Sequence, residues 1–336
     1  MNDVSHVTLR LVAQRSGVSL TTASRVINNA PHVSRAKRDA VLAAVADLGF
    51  VPNTIAKALA DGRTQTIGLV AQYFESPFYA LMLRGVEEAL SQAEYALVVA
   101  SGHWNAEEEA GCIRSLRARQ VDGIIVLTGL LDDAFLTQLA AELPVVVTGR
   151  TLQAEGLHAL RTDDFAGARA ATRHLLDGGH TRIAHICGDP THPDAHERER
   201  GYRAALEEAG IAVDPALLLP GDYWEPSGTR AAEQLLASGV PFSAIFAAND
   251  QMAAGATQAL HRHGLRVPED VSIVGFDDLL AAAHANPPST TVSLSVAELG
   301  RRAAQAMLDL LAHRRPTLAA PEPRLVVRCS TRALNA

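Results

Sequence analysis

Residues 9–28 read LRLVAQRSGVSLTTASRVIN, and the spacing within this stretch predicts two short helices joined by a turn. Leu9, Val12 and Ala13 fall on one helical face, and Gly17 breaks the pattern. Ser19 is placed to cap a second helix whose buried side is Ala23, Val26 and Ile27. Two helices around a glycine-containing turn form a helix-turn-helix, whose second helix enters the major groove of DNA. A third helix is expected at 35–48, capped by Ser34 and stopped by Gly49, with Val41, Ala44, Val45 and Leu48 closing a three-helix core. Pro52 then forces a break. Residues 53–60, NTIAKALA, can form a helix but are too few to hold one alone.

The charge follows the same division. The whole chain of 336 residues carries −7, yet residues 1–60 hold seven Lys/Arg against three Asp/Glu. A small basic head on an acidic body fits a DNA binder with a separate sensing part. Such a modest basic excess gives limited phosphate affinity, so two heads acting together, in a dimer, are expected. Hydrophobic residues at 48% and charged residues at 20% describe a folded globular chain long enough for two or three domains. No apolar run reaches membrane-spanning length and the polar start MNDVSH is not a signal peptide. Three scattered cysteines, Cys112, Cys187 and Cys329, read as reduced thiols, which suits a cytoplasmic location.

From Ile67 the pattern becomes apolar strands alternating with amphipathic helices. Strands are expected at 67–71, 96–100, 123–127 and 145–148, then at 183–187, 217–219, 244–247, 271–274 and 324–327. Helices are expected near 78–93, 106–119, 134–141, 165–176, 197–209, 227–236 and 251–263. Continuous apolar strands with helical crossovers give an α/β body of two doubly wound parallel sheets. Ligands bind such sheets at the carboxyl ends of their strands, so a cleft between the two is the expected pocket.

Residues 12–28, the GFVPN at 49–53, and four segments of the body carry a resemblance. Those four are HLLDGGHTRIA (174–184), RGYRAAL (200–206), NDQMAAG (249–255) and VPEDVSIVGFDD (267–278). In this order and spacing they resemble the lactose/galactose repressor family over essentially the whole chain. The resemblance implies a helix-turn-helix domain at 1–52, a hinge helix and linker at 53–62, and a two-lobed body at 63–336. The body resembles periplasmic binding proteins, with a first lobe of about 63–162 plus 292–323 and a second of about 163–291 plus 324–336. It implies a repressor of carbohydrate-utilisation genes that binds a pseudo-palindromic operator as a homodimer and is controlled by a small sugar. A purine or other metabolite as effector is the alternative. Two positions depart from the family: Leu11 replaces a usual acidic residue, and Gly149 replaces a polar pocket residue, which lets Arg150 reshape the pocket. The leucine-repeat tail that makes some relatives tetramers is lacking, so a dimer is expected.

By resemblance, Leu20, Thr21 and Arg25 read operator bases; Arg25 can hold a guanine bidentately and the other two can touch a thymine methyl. Ser19, Thr22 and Asn28 would position phosphates. Leu59 would wedge a base step from the minor groove, with Asn53 and Ala56 lining it. The plainer alternative makes Leu20 a minor core residue, Arg25 a solvated charge, and residues 53–60 a linker helix with Leu59 in a lobe interface. Effector contacts fall by resemblance on Phe78, Tyr79, Arg198, Tyr223, Asn249 and Asp277, with Asp164, Arg150 and Trp224 as additions. Independently of family, Phe74, Phe78, Tyr79, Trp104, Tyr223, Trp224 and Phe276 lie near predicted strand ends, as do Asp163, Arg198, Asn249, Asp250, Asp277 and Asp278. Flat aromatic faces with convergent carboxylate, amide and guanidinium groups suit a polyhydroxylated ligand.

Two other classes compete. A sugar-binding receptor without a DNA role shares the two-lobed body, but not residues 1–60. An enzyme is disfavoured, since no GxGxxG follows a strand and no phosphate loop or Ser/His/Asp signature occurs. His192 and His196 have the i, i+4 spacing of metal ligands, but Pro193 is expected to interrupt that helix and no third ligand is evident, so neither metal nor cofactor is expected.

Overall fold

The computed structural model describes residues 7–28, 30–50 and 63–334, in two compact units that divide after Thr64. In the first unit, helix α1 (Leu9–Ser16) starts at Thr8, whose hydroxyl accepts from the Leu11 amide, and ends where Gly17 takes φ 65°. That left-handed turn is cheap only for glycine, and it sets α2 (Leu20–Ile27) across α1. Ser19 caps α2 by accepting from the Thr22 amide. Helix α3 (Arg35–Leu48) stops at Gly49, but Ser34 at its head makes no side-chain capping bond, so that predicted cap is positional only. Val12, Ala13, Ala23, Val26, Val41 and Ala44 form the core of the three, ringed by Leu9, Ile27, Val45 and Leu48. The Arg15 guanidinium and Asp47 carboxylate, 2.6 Å apart, tie α1 to α3 at the surface. The expected hinge positions Asn53, Ala56 and Leu59 lie outside the described residues.

The second unit holds two sheets. The first consists of β1 (Thr66–Ala71), β2 (Ala96–Ser101), β3 (Gly123–Val126), β4 (Val145–Thr148) and β5 (Leu157–Leu160), in the order β2-β1-β3-β4-β5 and wholly parallel. The second consists of β6 (Ile183–Ile186), β7 (Leu218–Leu219), β8 (Ala244–Ala247), β9 (Ser272–Asp277), β10 (Thr290–Ser293) and β11 (Arg324–Val326). Its order is β11-β10-β9-β8-β6-β7, parallel except for the antiparallel edge strand β11. The connecting helices are α4 (Pro77–Gln92), α5 (Ala106–Ala118), α6 (Asp133–Ala140), α7 (Asp164–Asp177), α8 (Pro193–Glu208), α9 (Glu225–Ser238), α10 (Asp250–Arg262) and the single turn α11 (Leu280–Ala283). Central strands are buried on both faces, which is why they read as unbroken apolar runs.

Helix α12 (Val296–Leu311) returns from the second sheet to pack on α4 of the first. The two helices touch backbone to backbone: a Cβ at Gly85 would sit 1.9 Å from the Ala297 carbonyl oxygen, and one at Gly300 would sit 2.0 Å from that of Met82. The chain therefore passes between the sheets after β5, after β10 and before β11, always beside the same pair of sheet edges.

Several details depart from the expected map. Strand β9 runs on to Asp277 instead of ending at Val274, and Leu217 belongs to a 3-10 turn, Pro215–Leu217, ahead of β7. Helix α8 begins four residues earlier than expected, at Pro193. Proline fits the first turn of a helix, where its missing N–H is unneeded, so Pro193 starts the helix it was expected to interrupt. Strands β5 and β10 and helix α12 are not among the expected elements.

Candidate functional site

On the head, α2 turns Ala23 and Val26 inward, which leaves Leu20, Thr21 and Arg25 on its outer face. Leu20 is 47% exposed, an apolar side chain at a helix start with no core to join, so it is not the minor core residue of the plainer reading. Arg25 lies exposed and donates from Nη2 to the Pro31 carbonyl, beyond the end of α2, at 3.1 Å. The Ser19 and Thr22 hydroxyls lie 2.9 Å apart at the head of the helix, and Asn28 closes its end. Of the six sequence-predicted positions of α2 and its caps, Ser19, Leu20, Thr21, Arg25 and Asn28 are exposed and Thr22 is half-buried.

In the body, the carboxyl ends of both sheets face a cavity of about 510 Å³, within the range of small-ligand sites. All eight predicted effector positions line it: Phe78, Tyr79 and Arg150 from the first lobe, and Asp164, Arg198, Tyr223, Asn249 and Asp277 from the second. Arg198, on α8, is the centre of the polar floor. It donates to Asp164 Oδ1 from Nε at 3.0 Å and to the Ala248 carbonyl from Nη1 at 2.6 Å. Asp194 lies 3.4 Å from its Nη2 and Asp277 lies 3.5 Å from its Nη1. Its guanidinium plane covers the Phe276 ring at 4.0 Å, which packs the cation against the core without a water layer.

Three carboxyl groups surround one buried guanidinium, a surplus of acids over cations. Burial opposes the charge on Arg198, but Asp277 and Asp164 outweigh it and hold the guanidinium above its ordinary pKa. Burial pushes the Asp277 carboxyl well above the usual carboxylate range, against the pull of Arg198. Asp164 is raised for the same reason, though Thr162 and Arg198 hydrogen-bond it. The weakly partnered member is Asp277: its Oδ1 is buried and accepts no hydrogen bond. Its backbone holds φ 99°, a conformation rare for any residue but glycine. That strain aims the carboxylate at the cavity. Asp250 secures the turn from beneath, accepting from the Leu279 amide at 2.7 Å and from the Thr291 hydroxyl at 2.6 Å.

Other predicted positions have mixed duties. Asn249 caps α10 through Oδ1 and donates from Nδ2 to the Tyr223 carbonyl, so its amide is largely used in holding the wall. The Thr128 hydroxyl donates to the Leu127 carbonyl, so the Tyr79 hydroxyl is the donor in the 2.8 Å contact with Thr128 Oγ1. Arg150 turns both terminal nitrogens into the loop after β3, toward the Gly129 and Leu131 carbonyls and Asp133. It lines the cavity while fastening that loop. Glu109, wholly buried on α5, accepts from the Leu130 and Leu131 amides and braces the same loop, and burial raises its carboxyl pKa.

Not every strand-end candidate belongs to the site. Phe74 is exposed and Phe276 is core, and Asp163, Asp250 and Asp278 do not line the cavity: Asp163 caps α7 and Asp278 pairs with Arg328. Sequence reasoning missed His192 as a wall residue. It stands immediately before α8 and stacks between Trp104 and Tyr223, and burial lowers its pKa toward the neutral imidazole. Asp194, one turn before Arg198 on α8, was also missed; its i, i+4 spacing to Arg198 was the available signal. Among the described residues no cluster of three or more metal-ligating side chains occurs, and no helix is long and apolar enough to cross a membrane.

Comparison with known proteins identifies the family. Residues 8–53 match the model of bacterial regulatory proteins of the lacI family, and residues 172–331 match a periplasmic binding protein-like domain. The HTH-type transcriptional regulator GalR of Escherichia coli K12 is 37% identical over 91% of this chain and 90% of its own. A solved complex of the transcriptional regulator CelR with cellobiose is 37% identical, with a TM-score of 0.71 over 96% of this chain and 99% of that one. The lac repressor dimer bound to operator and an anti-inducer superposes with a TM-score of 0.87 at 29% identity, over 97% and 99%. With relatives matched over nine-tenths or more of its length, this chain belongs to the lacI family of bacterial transcription regulators.

Proposed function

We propose that this regulator is a homodimeric repressor that reads a pseudo-palindromic operator with α2 and responds to an uncharged sugar enclosed between its lobes. The observation that carries the effector assignment is the buried Asp277 oxygen without a donor, set beside Arg198 in a cavity walled by Phe78, Tyr79 and Tyr223. Sugar hydroxyls supply donors to such a carboxylate and acceptors to the guanidinium, while aromatic faces cover the apolar face of the ring. The cavity lining carries six carboxylates against three guanidiniums, which disfavours phosphorylated sugars and other anions. The cellobiose seen with CelR points the same way.

On DNA, Arg25 with Leu20 and Thr21 contacts base edges while Ser19, Thr22 and Asn28 meet phosphates. Two heads bind successive major grooves. Residues 53–62, with Asn53, Ala56 and Leu59, serve as a minor-groove hinge. The protein works in the cytoplasm by binding, without catalysis. Titration calorimetry of the full chain against galactose, cellobiose and purine bases, with and without operator, tests this reading. Sugar binding is expected, with an affinity that operator changes by roughly 5- to 150-fold. Purine binding without sugar binding would reject the effector class, and equal sugar affinity in both conditions would reject the coupling.

A further inference from the structure

Two ring contacts cross the cleft at the end opposite the interlobe connections. Trp104, from the loop after β2, lies face to face with His192 with centroids 3.5 Å apart and planes 17° from parallel. His192 continues onto Tyr223 at 5.4 Å and 13°. Beside this ladder, Tyr73 meets the edge of Trp224 at 5.8 Å. The topology explains the location. Strand β2 is the outer strand of the first sheet and β7 the outer strand of the second, whereas the connections leave from β5, β10 and β11 at the opposite edges. Trp104 follows β2, His192 follows β6 and Tyr223 follows β7, so the rings close the mouth of the cavity that Arg198 and Asp277 floor.

The first-lobe half of the ladder is held in advance. The Trp104 amide donates to Gln72 Oε1 at 2.7 Å and the His103 amide to the Gln72 carbonyl at 3.2 Å. His103 and Trp104 both hold left-handed backbone, φ 51° and 53°, a succession disfavoured for side-chain-bearing residues and maintained here by those bonds. The second-lobe half is wired to the floor: the Tyr223 hydroxyl donates to Asp194 Oδ2 at 3.1 Å, and the same oxygen lies 3.4 Å from Arg198.

We propose that Trp104 is a specificity-determining residue of the cleft, which by stacking on His192 closes the mouth and limits the length of the molecule the cavity admits. The proposal rests on the cleft being the effector site. Aromatic stacking of this kind contributes roughly a 2- to 10-fold preference for the closed form.

The chain has two tryptophans, Trp104 and Trp224, so Trp224→Phe leaves Trp104 as the sole indole. In the ligand-free full-length protein, acrylamide quenching of Trp104 is expected to rise at least about twofold when His192→Ala is added to Trp224→Phe. Equal quenching in the two proteins overturns the closed mouth. Calorimetry then compares wild type and Trp104→Ala against cellobiose, cellotriose and cellotetraose. Wild type is expected to lose affinity steeply with chain length. Trp104→Ala is expected to weaken cellobiose roughly 2- to 10-fold yet bind the longer saccharides at least as well as cellobiose. The same length dependence in both proteins overturns the size limit. Failure of every saccharide to bind either protein counts against the sugar assignment, while the quenching comparison still decides the closure.

Discussion

Replacing Asp277 by asparagine is expected to stabilise the empty protein and weaken its hold on the effector, two effects of opposite sign from one atom. Asp277 is 4% exposed, and its Oδ1 has no donor. The cation nearest to it, Arg198, remains counterbalanced after the change, because Asp164 lies 2.9 Å and Asp194 3.4 Å from its Nη2. A buried acceptor without a donor costs about 1–3 kcal/mol, and more when charged. Asparagine is nearly isosteric with the native side chain, so Asp277→Asn removes little besides the charge. Thermal unfolding without ligand should therefore shift upward by several degrees, at about 2–4 °C per kcal/mol for a domain of nearly this size. The gain should depend on pH. The folded carboxyl is raised above its unfolded value, so wild type is most stable below the unfolded pKa and loses that contribution as pH rises through the folded one. The advantage of the asparagine variant should accordingly grow toward neutral pH. For the ligand, losing a charged acceptor costs about 1.5–3 kcal/mol, a roughly 10- to 150-fold weaker Kd by calorimetry. A lower melting temperature with an unchanged sugar Kd would refute the reasoning, since Asp277 would then be a structural counter-ion of Arg198.

Two further outcomes are expected. Arg25→Ala should cost about 1–3 kcal/mol on the operator and relax preference at one base pair per half-site in a binding-site selection; a uniform loss over all sequences would make Arg25 a phosphate contact. His185 is wholly buried between Tyr202 and Phe246 with its pKa pushed down to about 4 by desolvation. Its folded pKa lies below the ordinary histidine value of 6.5, so its contribution is present above about 6.5 and disappears as pH falls toward 4, about 3 kcal/mol in all. Urea unfolding at pH 7 and pH 5 should show a smaller pH dependence in His185→Phe than in wild type, and an identical slope would contradict the buried neutral imidazole.

The head was legible because each signal in it is local. Gly17 has to take the left-handed turn, Ser19 has to cap, and the i, i+3, i+4 faces around Val12 and Val26 have only each other to bury against. The sheets were legible for a similar reason, since a strand covered on both faces cannot be other than apolar. The return helix α12 was not, because its fit against α4 depends on Gly85 and Gly300 meeting across more than two hundred residues. The site divided in the same way. Residues near strand ends were visible, but the sequence does not say which way each side chain turns. Asp163 caps a helix while its neighbour Asp164 holds Arg198, and Phe276 lies under that guanidinium instead of facing the cavity. Pro193 was read as a break where it is a start, and that concealed both His192 at the mouth and Asp194 one turn before Arg198.

Stability alone does not account for the floor of the cleft. A buried ion cluster is commonly no better for a fold than apolar residues of similar volume, and one with more carboxylates than cations is worse. Here the surplus lies at the carboxyl ends of the strands, on a turn with strained backbone at Asp277, and beside an arginine already bonded to Asp164 and to the Ala248 carbonyl. A ligand can shift a conformational balance only by interacting differently with the two states. Hydroxyl donors reaching Asp277 from a ring held by Phe78 and Tyr79 of the opposite lobe interact fully only when the lobes are together. A sugar seated between Asp277 on one side and Phe78 and Tyr79 on the other would therefore favour the arrangement in which both lobes reach it.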